Sequence, residues 1–153
     1  MALYLVQHGK SLSKAQDPGQ SLAEEGRAEV QRIAQVAAAY SVRVSAIAHS
    51  GKLRASQTAE ILAKALKPDD GIRAVEGIGP MDDVVAFATQ VDIKANEMIV
   101  GHLPFFEKLV AYLITGKTAP PVFRMQNGGI VCLDYYPETT HVVVRWALMP
   151  HVD

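Results

Sequence analysis

Leu3-Tyr4-Leu5-Val6-Gln7-His8-Gly9-Lys10-Ser11 is the stretch whose reading decides the fold. Four apolar residues run without alternation and then give way at once to an amide, an imidazole, a glycine and a lysine. An unbroken apolar run of this length suits a strand covered on both faces, as in parallel sheets. Gly9 marks where the strand leaves the sheet, so His8 falls at a strand's carboxyl end. Similar short runs recur at residues 44–48, 72–75 and 98–100. Between them the spacing is helical: Val30, Ile33, Ala37 and Tyr40 form one stripe. Ala55, Ala59, Leu62 and Leu66 form a second, and Phe106, Leu109, Val110, Leu113 and Ile114 a third. Strands that alternate with helices pair in parallel through right-handed crossovers.

Chain punctuation supports these boundaries. Ser21 and Glu24 have the spacing of a capping box at the start of the first long helix. Lys67-Pro68 ends the second helix. Pro104 suits the first position of the last helix and Gly116 its left-handed stop. Residues 130–135 and 141–147 flank Tyr-Pro-Glu-Thr-Thr, and Val142, Val144 and Trp146 alternate, so an antiparallel hairpin is expected to finish the sheet. The expected architecture is α/β: a three-layer sandwich with a mixed, mostly parallel sheet, helices on both faces and a C-terminal antiparallel hairpin. A single domain over residues 1–153 is expected, because no repeat, linker or low-complexity tract divides the chain.

Composition narrows the function classes. With 153 residues, 49% of them hydrophobic, the chain can bury roughly two-thirds of its unfolded surface without a staple. Its one cysteine, Cys132, cannot form an internal disulfide and sits in an apolar run that reads as strand core. The net charge of -1, with no basic run, excludes nucleic acid and anionic membrane as bulk electrostatic partners. The apolar stretch near Met1 is too short for a signal segment or a membrane span, so the cytoplasm is the expected compartment.

Ligands of open α/β sheets bind at the carboxyl ends of the parallel strands. Three loops there carry chemistry: Gln7-His8-Gly9-Lys10-Ser11, His49-Ser50-Gly51-Lys52-Leu53-Arg54 and Gly101-His102-Leu103-Pro104. Two imidazoles and a guanidinium at one sheet edge suit phosphoryl transfer. A neutral imidazole is a competent nucleophile towards phosphorus, and a guanidinium fork matches the non-bridging oxygens. Helix starts after Ser50 and His102 add amide donors. His49 is expected to pack, and His141 and His151 to lie on the surface. No pair of His, Cys or carboxylate has zinc-ligand spacing such as His-x3-His. Gly77-Ile78-Gly79-Pro80 lacks the third glycine of a dinucleotide loop, and neither a Walker loop nor a Gly-x-Ser-x-Gly elbow is present.

Leu-Tyr-Leu-Val-Gln-His-Gly, Ser-Gly-Lys-Leu-Arg-Ala-Ser-Gln-Thr-Ala and Val-Gly-His-Leu-Pro resemble, in order, the three motifs of the histidine phosphatase (phosphoglycerate mutase-like) superfamily. The short chain and Ser21-Leu22-Ala23-Glu24-Glu25-Gly26 are most similar to its SixA branch, the phosphohistidine phosphatases. The similarity runs from Leu3 to about Phe123 and loosely through the hairpin. The resemblance implies that His8 becomes phosphorylated, that Arg54 clamps the phosphoryl group and that His102 donates to it as imidazolium. Ser11 and main-chain amides near Leu103 would add hydrogen bonds. No metal or organic cofactor is implied.

Departures from the family pattern are informative. Gln7 stands where the family usually has Arg, and Lys10 where an acidic residue is common; Gly51 replaces a usual Pro. An amide donates a hydrogen bond but supplies no charge and no fork, so Lys10 and Lys52 are expected to restore positive charge. A general acid is expected among Glu76, Asp82 and Asp83, with Asp83 the best match to SixA-type sequences; a charged pair opening a helix accounts equally well for Asp82 and Asp83. The expected activity is hydrolysis of phosphohistidine on a partner protein of the histidine-phosphotransfer type. The alternatives are a small-molecule phosphomonoesterase on the same scaffold and a catalytically impaired phosphate- or phosphoprotein-binding module.

Overall fold

A computed structural model describes residues 1–153. In chain order the elements are β1 (Leu3–Gln7), α1 (Glu24–Ala39), β2 (Ala46–His49), α2 (Leu53–Leu66), β3 (Ile72–Ala74), α3 (Val84–Ala88), β4 (Glu97–Gly101), α4 (Phe105–Thr115), β5 (Ile130–Tyr135) and β6 (Val142–Leu148). They build one six-stranded sheet in the order β3-β2-β4-β1-β5-β6. The first four strands in that order pair in parallel; β5 and β6 are antiparallel, as the hairpin pattern predicts. The α/β class and the mixed sheet follow the sequence reading.

Both faces of the sheet are covered at its centre, which is why β1, β4 and β5 are largely apolar and buried. Tyr4, Val6, Ile47, Met98, Val100, Ile130 and Cys132 pack under α1 and α2, against Val30, Ile33, Ala59 and Leu62. Leu3, Leu5, Ala48, Ile99, Val131 and Leu133 face the other way, towards Phe105, Phe106, Leu109 and Val110 of α4 and Val84 of α3. Burial raises the pKa of the Cys132 thiol to about 11, as its place in the core demands. No helix is long and apolar enough to cross a membrane.

Two local expectations need correction. Ser21 does not cap α1: the helix begins at Glu24 behind Ala23, with no side-chain cap. Its hydroxyl instead donates to the Asp17 carboxylate at 2.5 Å. Residues 21–23 are drawn out straight beside the β1 loop, with Leu12 N–H donating to the Ser21 carbonyl at 2.8 Å and Ala23 N–H to the Lys10 carbonyl at 2.9 Å. Long-range backbone pairing has outcompeted the local cap. Tyr40 lies beyond the last turn of α1 and is 75% exposed rather than on the apolar stripe. Leu113 and Ile114 keep their place on the stripe and pack against the core, but are half-buried rather than enclosed.

Two close approaches seat the β1 loop on α1. A Cβ on Gly9 would lie 2.8 Å from Val30 Cγ2, and one on Gly26 would lie 2.1 Å from the Lys10 carbonyl oxygen. Propensity alone makes Gly26→Ala a gain of about 1 kcal/mol, since Gly26 is inside a helix. The obstacle is backbone and cannot swing aside, and such overpacking costs roughly 1–3 kcal/mol or more. We therefore expect Gly26→Ala to lower stability in denaturant titrations; equal or greater stability would refute the steric account.

Candidate active site

Parallel strands of matched register end level with one another, and this brings the candidate residues together. Gln7 on β1 is opposite Gly101 on β4, and His49 on β2 is opposite Val100. His8 and His102 are each the residue that follows. The His8 amide continues the ladder by donating to the Gly101 carbonyl at 3.0 Å. The two imidazoles, 94 positions apart in the chain, have ring centroids 5.0 Å apart with their planes at 53°. Arg54 lies in the first turn of α2, partly exposed, and its guanidinium makes no ion pair with any carboxylate.

His8 has a determined tautomer. Its Nδ1 is 2.7 Å from the Gly9 carbonyl oxygen. A carbonyl only accepts, so the proton is on Nδ1 and Nε2 carries a free lone pair. Burial pulls the His8 pKa below its ordinary value, the Gly9 carbonyl partly opposes this, and the Arg54 charge adds to the depression. The ring is therefore neutral near pH 7. The peptide unit that follows it is held at both ends: its carbonyl accepts from Asn127 Nδ2 at 2.9 Å and its N–H donates to Thr58 Oγ1 at 2.9 Å. The Thr58 hydroxyl, fully buried, in turn donates to the Arg54 carbonyl at 2.8 Å. One hydroxyl thus ties the β1 loop to the turn that bears Arg54.

His102 is 1% exposed. Burial first, then the charges of His8, Arg54 and Lys52, drive its pKa down to about 3. A buried ring among cations is neutral in the free protein, and an imidazolium here requires an anion beside it. Its Nε2 is 2.6 Å from Ser50 Oγ, while Nδ1 is buried without a hydrogen-bond partner. Ser50 Oγ also accepts the Lys52 amide at 3.4 Å, so one hydroxyl joins the His102 ring to the start of α2.

The other anticipated residues divide. Gln7 is buried at 9% exposure and its Oε1 has no partner. Lys10 points away along α1, with Nζ 3.3 Å from the Glu25 carboxylate. The lysine whose charge reaches His102 is Lys52, so of the two expected to offset the missing guanidinium only Lys52 is placed for it. The Ser11 side chain makes no hydrogen bond, and its backbone bridges to Leu22. Leu103 is half-buried between His102 and the start of α4. Glu76 and Asp82 line an open groove with Ser50, Gly51 and Lys52. Asp83 does not line it; its carboxylate caps α3 by accepting from Ala86 N–H at 3.0 Å. His49 braces its own loop, accepting from the Gly51 amide at 3.0 Å. His151 is more than a surface residue, because its ring bonds the buried Glu29 carboxylate.

Sequence reasoning missed Thr58 and Asn127 as neighbours of His8. Thr58 lies four residues beyond Arg54 inside a helix, the spacing of a hydroxyl that back-bonds a carbonyl, and this signal was readable. Asn127 precedes Gly128-Gly129 and reads as a turn; nothing local points it at a residue 119 positions earlier.

Comparison with known proteins agrees with this geometry. The histidine phosphatase superfamily (branch 1) pattern matches residues 3–78. Over 156 aligned residues the chain is 27% identical to phosphohistidine phosphatase SixA of Escherichia coli K12, covering 98% of this chain and 94% of that protein. Its fold superposes on the protein histidine phosphatase SixA complexed with tungstate at a TM-score of 0.79, with 24% identity over 98% of this chain and 97% of that one. The mycobacterial glucosyl-3-phosphoglycerate phosphatase complexed with VO3 gives a TM-score of 0.67 at 14% identity, covering 94% of this chain and 97% of that one. The matched segment includes both the His8 loop and the Arg54 helix, and the likeness extends through the rest of the chain: this protein is a phosphatase similar in motifs and fold to the histidine phosphatase superfamily, SixA type.

Proposed function

We propose that the chain hydrolyses phosphohistidine on a partner protein through a phosphorylated His8. The observation that carries this reading is a neutral His8 whose Nε2 lone pair is free, facing a second imidazole and an unpaired guanidinium. The phosphoryl oxygens would take hydrogen bonds from the Arg54 fork, the His102 ring and the Gln7 amide, with Ser11 and the main chain at Leu103 adding donors. His8 Nε2 bonds to phosphorus as the bond from phosphorus to the substrate's ring nitrogen breaks, and the electron pair leaves with that nitrogen. Water then attacks phosphorus, the bond to Nε2 breaks, and phosphate departs with the proton that water gives up. Such transition states spread charge over the equatorial oxygens, so fixed donors and cations supply most of the rate.

The leaving group decides between substrate classes. An alkyl phosphate departs as a basic alkoxide and needs a well-placed acid. Phosphohistidine departs as neutral imidazole once its ring is protonated. Asp83 is occupied as a helix cap, and Glu76 and Asp82 stand in the groove beyond Ser50, so the arrangement favours the phosphoramidate. The openness of that groove suits a substrate carried on a protein. The Escherichia coli relative bears the same activity in its name, and the tungstate and VO3 bound to the two related structures mimic phosphate or its transition state.

Three outcomes test the proposal. Labelling with a phosphohistidine protein, quenched in base, should leave alkali-stable, acid-labile phosphate on the wild type and none on His8→Ala; label retained by the variant removes His8 as nucleophile. Across a substrate panel, kcat/KM should be highest for phosphohistidine protein, and a higher value for a sugar or nucleotide phosphate favours the phosphomonoesterase reading. Phosphate or vanadate binding with no turnover of any substrate leaves only a binding module. The pH profile has a definite sign. Protonation removes the Nε2 lone pair, so kcat/KM should fall on acidification with a midpoint below the ordinary histidine value of 6.5. Arg54→Gln removes a cation that depresses this pKa and should move the limb to higher pH while costing on the order of 10²–10³ in rate. A limb that stays in place contradicts the assigned coupling.

A further inference from the structure

We infer that Asn127 is a positioning residue for the His8 nucleophile, acting through the peptide unit between His8 and Gly9. The inference rests on the reading of His8 as the phosphorylated residue. That single peptide plane is gripped from two directions: Asn127 Nδ2 donates to its carbonyl at 2.9 Å, and its N–H donates to Thr58 Oγ1 at 2.9 Å. Together the two bonds set the last backbone dihedral of His8 and the first of Gly9. The Gly9 carbonyl, on the next peptide unit, is the acceptor that holds His8 Nδ1–H at 2.7 Å. Rotation of the gripped plane carries that carbonyl with it, and with it both the tautomer and the aim of Nε2.

Asn127 is itself rigidly mounted. The Gly128 amide donates to the Gln7 carbonyl at 2.8 Å, so the turn is pinned to the end of β1. Gly128 has φ +79°, a conformation that glycine adopts freely and that lets the turn reverse here. On the far side the Gln126 amide pairs reciprocally with the backbone of His151, donating to its carbonyl at 2.9 Å and accepting its N–H at 3.0 Å. The His151 ring bonds Glu29, and Arg32 Nη2 donates to the Pro150 carbonyl at 2.6 Å, which fastens the strap to α1. A chain of contacts therefore runs from α1 through residues 150–151 and 126–128 to the nucleophile. Asn127 contributes no group to the phosphoryl oxygens in this scheme. It orders the atom that attacks.

The test compares Asn127→Ala with Asn127→Leu, which keeps a similar volume but removes the donor without adding charge. Misplacing a reacting atom by about an ångström can cost roughly 10²-fold, so kcat should fall roughly tenfold or more in both variants while KM and inorganic phosphate affinity stay at wild-type values. Nitrogen NMR of the His8 ring reads the cause without any turnover. The wild type should show the Nδ1–H tautomer, and the variants a mixture with Nε2–H. Pairing Asn127→Leu with Thr58→Val should cost less than the sum of the two, since both act on the same plane. Wild-type kcat and an unchanged tautomer in Asn127→Leu overturn the inference. So does a loss of kcat that merely tracks falling phosphate affinity and Tm. Should Asn127→Ala not fold, Asn127→Leu decides. A wild type that turns over no donor refutes the function proposed above, yet the ring spectra still test the role of Asn127.

Discussion

The parallel pairing of β1 with β4 is the constraint on which the site depends. Because Gln7 and Gly101 are level in the ladder, the chain leaves both strands at the same height and delivers two imidazoles to within 5.0 Å of each other. A shift of one residue would turn every side chain of β1 to the opposite face. It would also bury the Gln7 amide in a core built for Tyr4 and Val6. Register is therefore held by hydrophobic packing on both faces, and the site inherits a precision that no loop could supply alone.

Electrostatics at this edge run against the bulk charge of the molecule. The net charge is -1, yet Arg54 and Lys52 have no carboxylate partner, whereas Lys10, Arg73, Lys94 and Arg145 do. Two uncompensated cations, the half-buried His8 and the buried His102 would repel one another if the rings were charged. The fold resolves this by keeping both rings neutral. A phosphoryl group brings the missing negative charge, so the free protein stores an attraction that only an anion releases. Gln7 brings no charge to this edge, whereas the Lys52 charge reaches His102 from the other loop.

Backbone hydrogen bonds do as much for this site as side chains. Thr58, Asn127, Gly128 and the Gly101 carbonyl surround the main chain of residues 7–9, drawing on α2, the turn before β5, and β4. The failed capping box at Ser21 belongs to the same economy. Residues 10–12 and 21–23 satisfy each other in extended form, and this brings Gly26 into contact with Lys10. Local preference yields because the loop's polar groups must be paired where the sheet holds them.

Much of this was legible in the chain. Apolar runs, helical spacing, Lys67-Pro68 and Gly116 marked the elements, since burial periodicity and backbone chirality act within a few residues. The His8, Arg54 and His102 motifs marked where the polar loops converge, because parallel strands of matched register end level with one another. Only the tertiary structure decided that Lys52 rather than Lys10 faces His102, that His102 is neutral, that Asp83 caps its own helix, and that Asn127 holds the His8 carbonyl. These depend on desolvation and on contacts between residues tens of positions apart, and neither quantity exists until the chain has folded around them.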